Sequence, residues 1–165
     1  MMELWDAYLE NWEKAGCDLV RGEPIPEGLF HLSTRILLRH ADGDYLAMRR
    51  DPNKMPHAGK LEATAGGSAL KGETALECAV RELTEETGLL PRDVISIGRF
   101  STHNTHFEAF IATTDSDKSS VTLQAGETVE YLWMNERELI KLLSSDESIP
   151  TGRECYLAYF NDKNK

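Results

Sequence analysis

The 165-residue chain is long enough to bury the core of one domain and gives no reason to expect several. Hydrophobic residues make up 41% and charged residues 28%, a globular balance that argues against disorder, collagen-like repeats and a membrane protein. Lys and Arg number 18 against 28 Asp and Glu, a formal charge of −10, so a nucleic-acid duplex is disfavoured as partner. A small anionic substrate stays open, because a bound cation inverts the local field.

Residues 4–14 carry Leu4, Trp5, Tyr8, Leu9 and Trp12 near helical spacing, which predicts a short amphipathic helix. The early acids Glu3 and Asp6 leave no apolar run of the signal-peptide kind, and nothing approaches the roughly 18 apolar residues of a spanning helix. Gly16 and the Gly- and Pro-containing run 22–28 read as turn and loop. Residues 30–38 are β-rich, and Asp42-Gly43 turns them into a second strand over 45–48. A polar loop follows over 51–60.

The clearest helical signal lies over 74–87, where Leu76, Ala79, Val80 and Leu83 recur at i, i+3, i+4 and i+7 and Gly88 supplies the stop. Strands are expected over 94–100, 107–113 and 129–134. Asn135 with Glu138 reads as a cap opening a helix over 136–143. Residues 153–160 are ambiguous between helix and strand. Cys17, Cys78 and Cys155 are widely spaced and form no C-x-x-C pair, which fits reduced thiols in a cytoplasmic protein. Strands mixed with two or three helices, with no repeat or linker, predict a single α/β or α+β domain over 1–165.

Each helical residue advances about 100°, so Glu82, Glu85 and Glu86 fall on one arc beside the apolar stripe. Arg81 can pair with Glu85 at i, i+4. An ordinary solvated acidic face is one reading. Crowded carboxylates are also the oxygen ligands that suit Mg²⁺ or Mn²⁺. The surroundings decide between them: Gly67, five residues, Glu73, seven residues, Arg81-Glu82-Leu83, one residue, Glu85-Glu86, one residue, Gly88-Leu89. This resembles the Nudix box, G-x5-E-x7-R-E-U-x-E-E-x-G-U, at every defined position over 67–89. At about 5–7% usage per residue type, a chance match is below roughly one in a million.

The paired Gly66-Gly67 and the later stretch 127–133 are similar to the rest of a Nudix domain, and the opening 3–8, Arg21-Gly-Glu-Pro and 28–31 resemble a bacterial subgroup near the isopentenyl-diphosphate isomerases. The resemblance implies an α/β/α sandwich around a mixed sheet, with residues 1–28 as an N-terminal extension. It implies hydrolysis of a diphosphate linked to another group X, with metal held by Glu82, Glu85, Glu86 and the Gly67 carbonyl. The divalent cations neutralise developing charge and acidify water. The general base is then Glu82 or a glutamate outside the box, with Glu127 the outside candidate and Glu130 a weaker one. Arg81 orients the glutamates, and Glu73 fixes the loop at the helix start. Gly88 is structural.

Arg49 and Arg50 are candidates for holding phosphate or X, against a plain surface reading. His103 and His106 lack a third ligand nearby, and Cys78 reads as a packing residue. An isomerase of this fold needs a cysteine where Ala65 stands. A nucleotide-sensing module typically lacks one of the box glutamates, and all are present here. The partner expected is a small-molecule diphosphate, without membrane; a homodimer covered by Trp5 and Trp12 is weighed against those residues covering their own sheet.

Overall fold

The computed structural model describes residues 1–165. Its centre is the strand β3 (His31–His40), which carries the uninterrupted apolar run Ile36-Leu37-Leu38. Successive side chains on a strand point to opposite faces, so such a run suits a strand covered on both sides. Ile36 and Leu38 join Ala79 and Leu83 of helix α1 (Ala75–Thr87) on one face. Leu37 joins Leu139 and Leu143 of α2 (Glu136–Leu143) and Tyr156 and Phe160 of α3 (Arg153–Lys163) on the other. The result is an α/β/α sandwich.

The remaining strands are β4 (Tyr45–Arg50), β5 (Leu61–Ala63), β6 (Ala65–Ser68), β7 (Asp93–Thr102), β8 (Thr105–Thr114) and β9 (Thr128–Met134). The sheet is mixed: β3 runs parallel to β8 over ten register pairs, and the other pairings are antiparallel. β3 and β4 share only the pair Arg39 and Tyr45 beside the Asp42-Gly43 turn, then part. Into the gap β6 pairs with β3 and β5 with β4, while β9 takes the outer side of β4. This parting opens the sheet where the residues of the box enter.

The helices start and stop where their caps dictate. Thr74 caps α1 through a capping box with Glu77, and Gly88 closes it in the left-handed conformation with its N–H donating to Thr84. Asn135 and Glu138 repeat the capping box at α2. The ambiguous segment at 153–160 is helical, entered through Gly152 at φ +85°.

The structure corrects the reading of the N-terminal segment and that of the buried face of α1. Residues 4–14 form no helix: β1 (Leu4–Tyr8) turns into β2 (Lys14–Val20), a separate two-stranded hairpin. Trp5 and Ala7 alternate inward onto Leu19, and a register shift between Asp6 and Tyr8 brings Tyr8 inward as well. In so short a window that shift makes period 2 look like period 3.6. Gly16, read as a turn, lies within β2 at φ +78°. The second correction concerns α1, whose buried face is Cys78, Ala79, Leu83, Glu86 and Thr87, while Leu76 is 48% exposed. The helix is rotated so that small side chains meet the sheet and Glu86 turns inward.

The hairpin's aromatic residues are used within the chain. Trp5 stacks on His31 at 4.5 Å, and Trp12 stacks on His106 at 4.3 Å. No helix is long and apolar enough to cross a membrane.

Candidate active site

Arg81 is the hub of the loop and helix at 67–89. Its Nε and Nη2 make a fork on Glu73 at 2.7 and 2.9 Å, while Nη1 reaches Glu82 at 2.7 Å and Glu85 at 3.3 Å. Nη2 also donates to the Ser68 carbonyl at 3.1 Å. One guanidinium thus ties the strand end, the loop and three acids together; a planar fork of five donors is suited to that. Glu73 accepts the Leu70 N–H as well, and these bonds outweigh its burial to hold its carboxyl below the usual range.

Gly67 leaves room for the Glu82 carboxylate. A Cβ there would stand 2.3 Å from the Glu82 carboxylate, so any larger residue displaces that acid. The Gly67 carbonyl accepts from Ser33 Oγ at 2.9 Å and from Cys78 Sγ at 3.5 Å. Cys78 is fully buried and its thiol is pushed up to about 12 by burial, so it serves packing and not reactivity.

Two further acids complete the negative side. Glu86 is 7% exposed, and Glu62, projecting from β5, is 8% exposed. Burial raises the carboxyl of Glu86 well above its ordinary value, and the neighbouring charges of Glu62 and Glu82 raise it further. Burial likewise raises Glu62 and Glu82, with Arg35 opposing at the first and Arg81 at the second. The set is all oxygen, the chemistry of a hard divalent cation, and the unfavourable burial of adjacent carboxylates is what such a cation relieves. As the side chains stand, no three of them gather around one point; Arg81 holds Glu82 and Glu85 from the side of the helix.

These acids line a cavity of about 670 Å³ whose other walls are basic, with Arg35, Arg50 and Lys54. Arg50 points its Nε at the carbonyls of Lys54 and Pro56, at 3.1 and 2.8 Å, which fixes the 51–60 loop against the strand end. Lys54 forms an ion pair with Glu127 across the cavity mouth. The hairpin adds Glu3 and Arg21, paired at 3.0 Å.

Of the residues read from the sequence, Gly67, Arg81, Glu82, Glu85, Glu86, Arg50 and Glu127 meet at this cavity. Arg49 does not: it lies along β4 bonded to Glu130 at 2.5 Å and to the Gly59 carbonyl. Alternation along the strand sends neighbouring arginines apart. Glu130 is thereby engaged outside the cavity. His106 is fully buried, with Nε2 on the Leu9 carbonyl and Nδ1 on Ser101, and serves to pin the hairpin. Gly88 closes the helix, as above. Glu62, Arg35 and Lys54 were missed by sequence reasoning. The signal available was a charged residue inside an apolar strand segment, Arg35 beside Ile36-Leu37-Leu38 and Glu62 between Leu61 and Ala63.

Comparison with known proteins identifies the family of the chain. The NUDIX domain model matches residues 29–154. An uncharacterized Nudix hydrolase of Listeria monocytogenes serovar 1/2a is 34% identical over 154 residues, covering 90% of this chain and 89% of its own. A Deinococcus radiodurans crystal structure superposes with a TM-score of 0.73 at 20% identity, covering 93% of this chain and 99% of its own. A MutT protein from Methanosarcina mazei superposes with a TM-score of 0.62 at 26% identity, over 82% and 96% of the two chains. The chain belongs to the Nudix family, hydrolases of phosphoanhydride bonds that generally use divalent metal ions.

Proposed function

We propose that this protein is a Mg²⁺- or Mn²⁺-dependent pyrophosphohydrolase that cleaves a diphosphate linked to another group X by attack of water on phosphorus. The observation that carries this reading is one cavity with the box acids on one wall and Arg50 and Lys54 on another. Glu82, Glu85, Glu86 and the Gly67 carbonyl would hold the cations, whose chemistry is to neutralise phosphoryl charge and acidify water. Arg50 and Lys54 would hold phosphate oxygens, and Arg81 keeps Glu82 and Glu85 in place.

Between the two candidate bases, Glu127 is favoured. Glu82 already receives Arg81 on one oxygen and is pressed against Gly67. Glu127 is paired with Lys54, a cation that a phosphate oxygen would draw away, leaving the carboxylate to take a proton from water. Isomerisation is disfavoured because Ala65, fully buried on β6, offers no acid or base.

The test is a hydrolysis panel of nucleoside triphosphates, ADP-ribose, dinucleoside polyphosphates, sugar nucleotides, coenzyme A and isopentenyl diphosphate, with and without Mg²⁺ or Mn²⁺, products identified by mass. Metal-dependent cleavage of one class is expected. Glu85→Gln and Glu86→Gln should each lower turnover by roughly a hundredfold or more with the fold intact. Full turnover in both variants, or an isomerised product, would overturn the reading.

A further inference from the structure

We propose that Arg35 is a substrate-contact residue, holding an anionic phosphate oxygen of the bound diphosphate compound from the wall formed by β3 and the loop before α3. This assignment rests on the diphosphate reading above and adds to it a residue outside the box and outside the 51–60 loop.

Arg35 sits in the middle of the central strand with its side chain only 17% exposed, and it reaches the same cavity as the box acids. Two glycines border it. A Cβ at Gly66 would lie 2.3 Å from Arg35 Nη1 and 2.4 Å from the Thr34 carbonyl, and one at Gly152, where φ is +85°, would lie 3.2 Å from Arg35 Cγ. The guanidinium rests over Phe107, 5.4 Å from the ring centroid. Phe107 and the two glycines border the slot that the guanidinium occupies.

The cation in that slot is under-used. Only Nη1 is engaged, 3.4 Å from the Thr34 carbonyl and 3.5 Å from Glu62 Oε1, while Nε is buried without a partner. The Tyr156 hydroxyl, in the α3 segment packed beside Gly152, is also buried without a partner. A guanidinium presents five donors in a fork that matches phosphate, and a half-buried one whose Nε has no partner leaves part of that fork for an anion to complete. Glu62 does not complete it, because its Oε1 stands 3.5 Å from Nη1 and leaves Nε unpaired. A phosphate oxygen entering between the acid wall and β3 would.

The alternative is that Arg35 merely offsets the charge of Glu62, and one experiment separates the two. The full chain is titrated calorimetrically with methylenediphosphonate, a non-hydrolysable P–C–P diphosphate, in the presence of Mg²⁺. Arg35→Gln is compared with the parent, and Arg35→Gln/Glu62→Gln with Glu62→Gln, the second pair leaving no unpaired carboxylate to unfold the protein. Loss of about tenfold or more in affinity is expected in both backgrounds, with Arg35→Lys losing less. Arg92→Gln, which breaks an exposed pair with Asp115, should bind as the parent does. The proposal is overturned if the effect of Arg35→Gln vanishes in the Glu62→Gln background, if neither background loses affinity, or if the parent does not bind the diphosphonate. The hydrolysis panel is read separately, so an inactive enzyme that still binds through Arg35 would count against the reaction and not against this contact.

Discussion

Glu86 carries opposite demands at one residue. It occupies a helix position that the fold buries against the sheet, yet a carboxylate there faces Glu62 and Glu82 in a medium that solvates it poorly. Its folded-state affinity for a proton is therefore raised above that of the unfolded chain, which titrates at about 4.3. A group raised this way contributes its stability at pH below the unfolded value and loses it as pH rises through the folded value. In EDTA, Glu86→Gln should consequently be more stable than the parent at neutral pH, by about 1 kcal/mol, while losing turnover. The gap between the two thermal midpoints should widen as pH is raised and close in acid. A variant no more stable than the parent at neutral pH would show that the burial cost lies elsewhere.

At the scale of elements, α1 matters because it sets the positions of Glu82, Glu85 and Glu86 at once. Its N-terminus is fixed by Thr74, whose side chain accepts the Glu77 N–H while Glu77 returns a bond to the Thr74 N–H at 2.8 Å. Thr74→Ala should cost about 1 kcal/mol, measured by urea denaturation, and Thr74→Ser should recover most of it. The helix and its Gly88 stop were legible in the sequence, since periodicity and Gly88 agreed over more than three turns, whereas the Thr74 cap came from the structure. Its rotation was not. Leu76 and Val80 read as core by spacing, but the sheet beneath accepts Cys78 and Ala79, so the inward face is set by what packs against it. The N-terminal hairpin failed for a related reason: five apolar residues around a register shift fit two periods, and only pairing with β2 selects one.

For the whole molecule, the hairpin and the sheet act together at the cavity. Trp5 is 8% exposed and stacks on His31 at the start of β3, and the same hairpin brings Glu3 and Arg21 to the cavity edge. Trp5→Ala should cost about 3 kcal/mol of stability and raise KM more than it lowers kcat, because it loosens an edge of the binding cavity and leaves the box acids in place. Equal loss in kcat and kcat/KM with unchanged KM would mean the hairpin acts on the chemistry itself.

The sequence alone determined the features that arise locally or from fixed spacing. The box at 67–89, the Gly88 stop of α1, the cap of α2, the Asp42-Gly43 turn and the apolar strand runs all follow from backbone preference and side-chain period, which neighbours in the chain suffice to set. Only the tertiary structure decided which charges meet. Arg35, Glu62, Lys54 and Glu127 come from four separate stretches and share one cavity because β3 and β4 part after a single register pair and admit β5 and β6 between them. Arg49 and Arg50 are adjacent in the chain, yet one joins the cavity and the other does not, since strand alternation and the paths of β9 and the 51–60 loop divide them. Electrostatic partnership depends on distance through space, and that is set by the packed sheet.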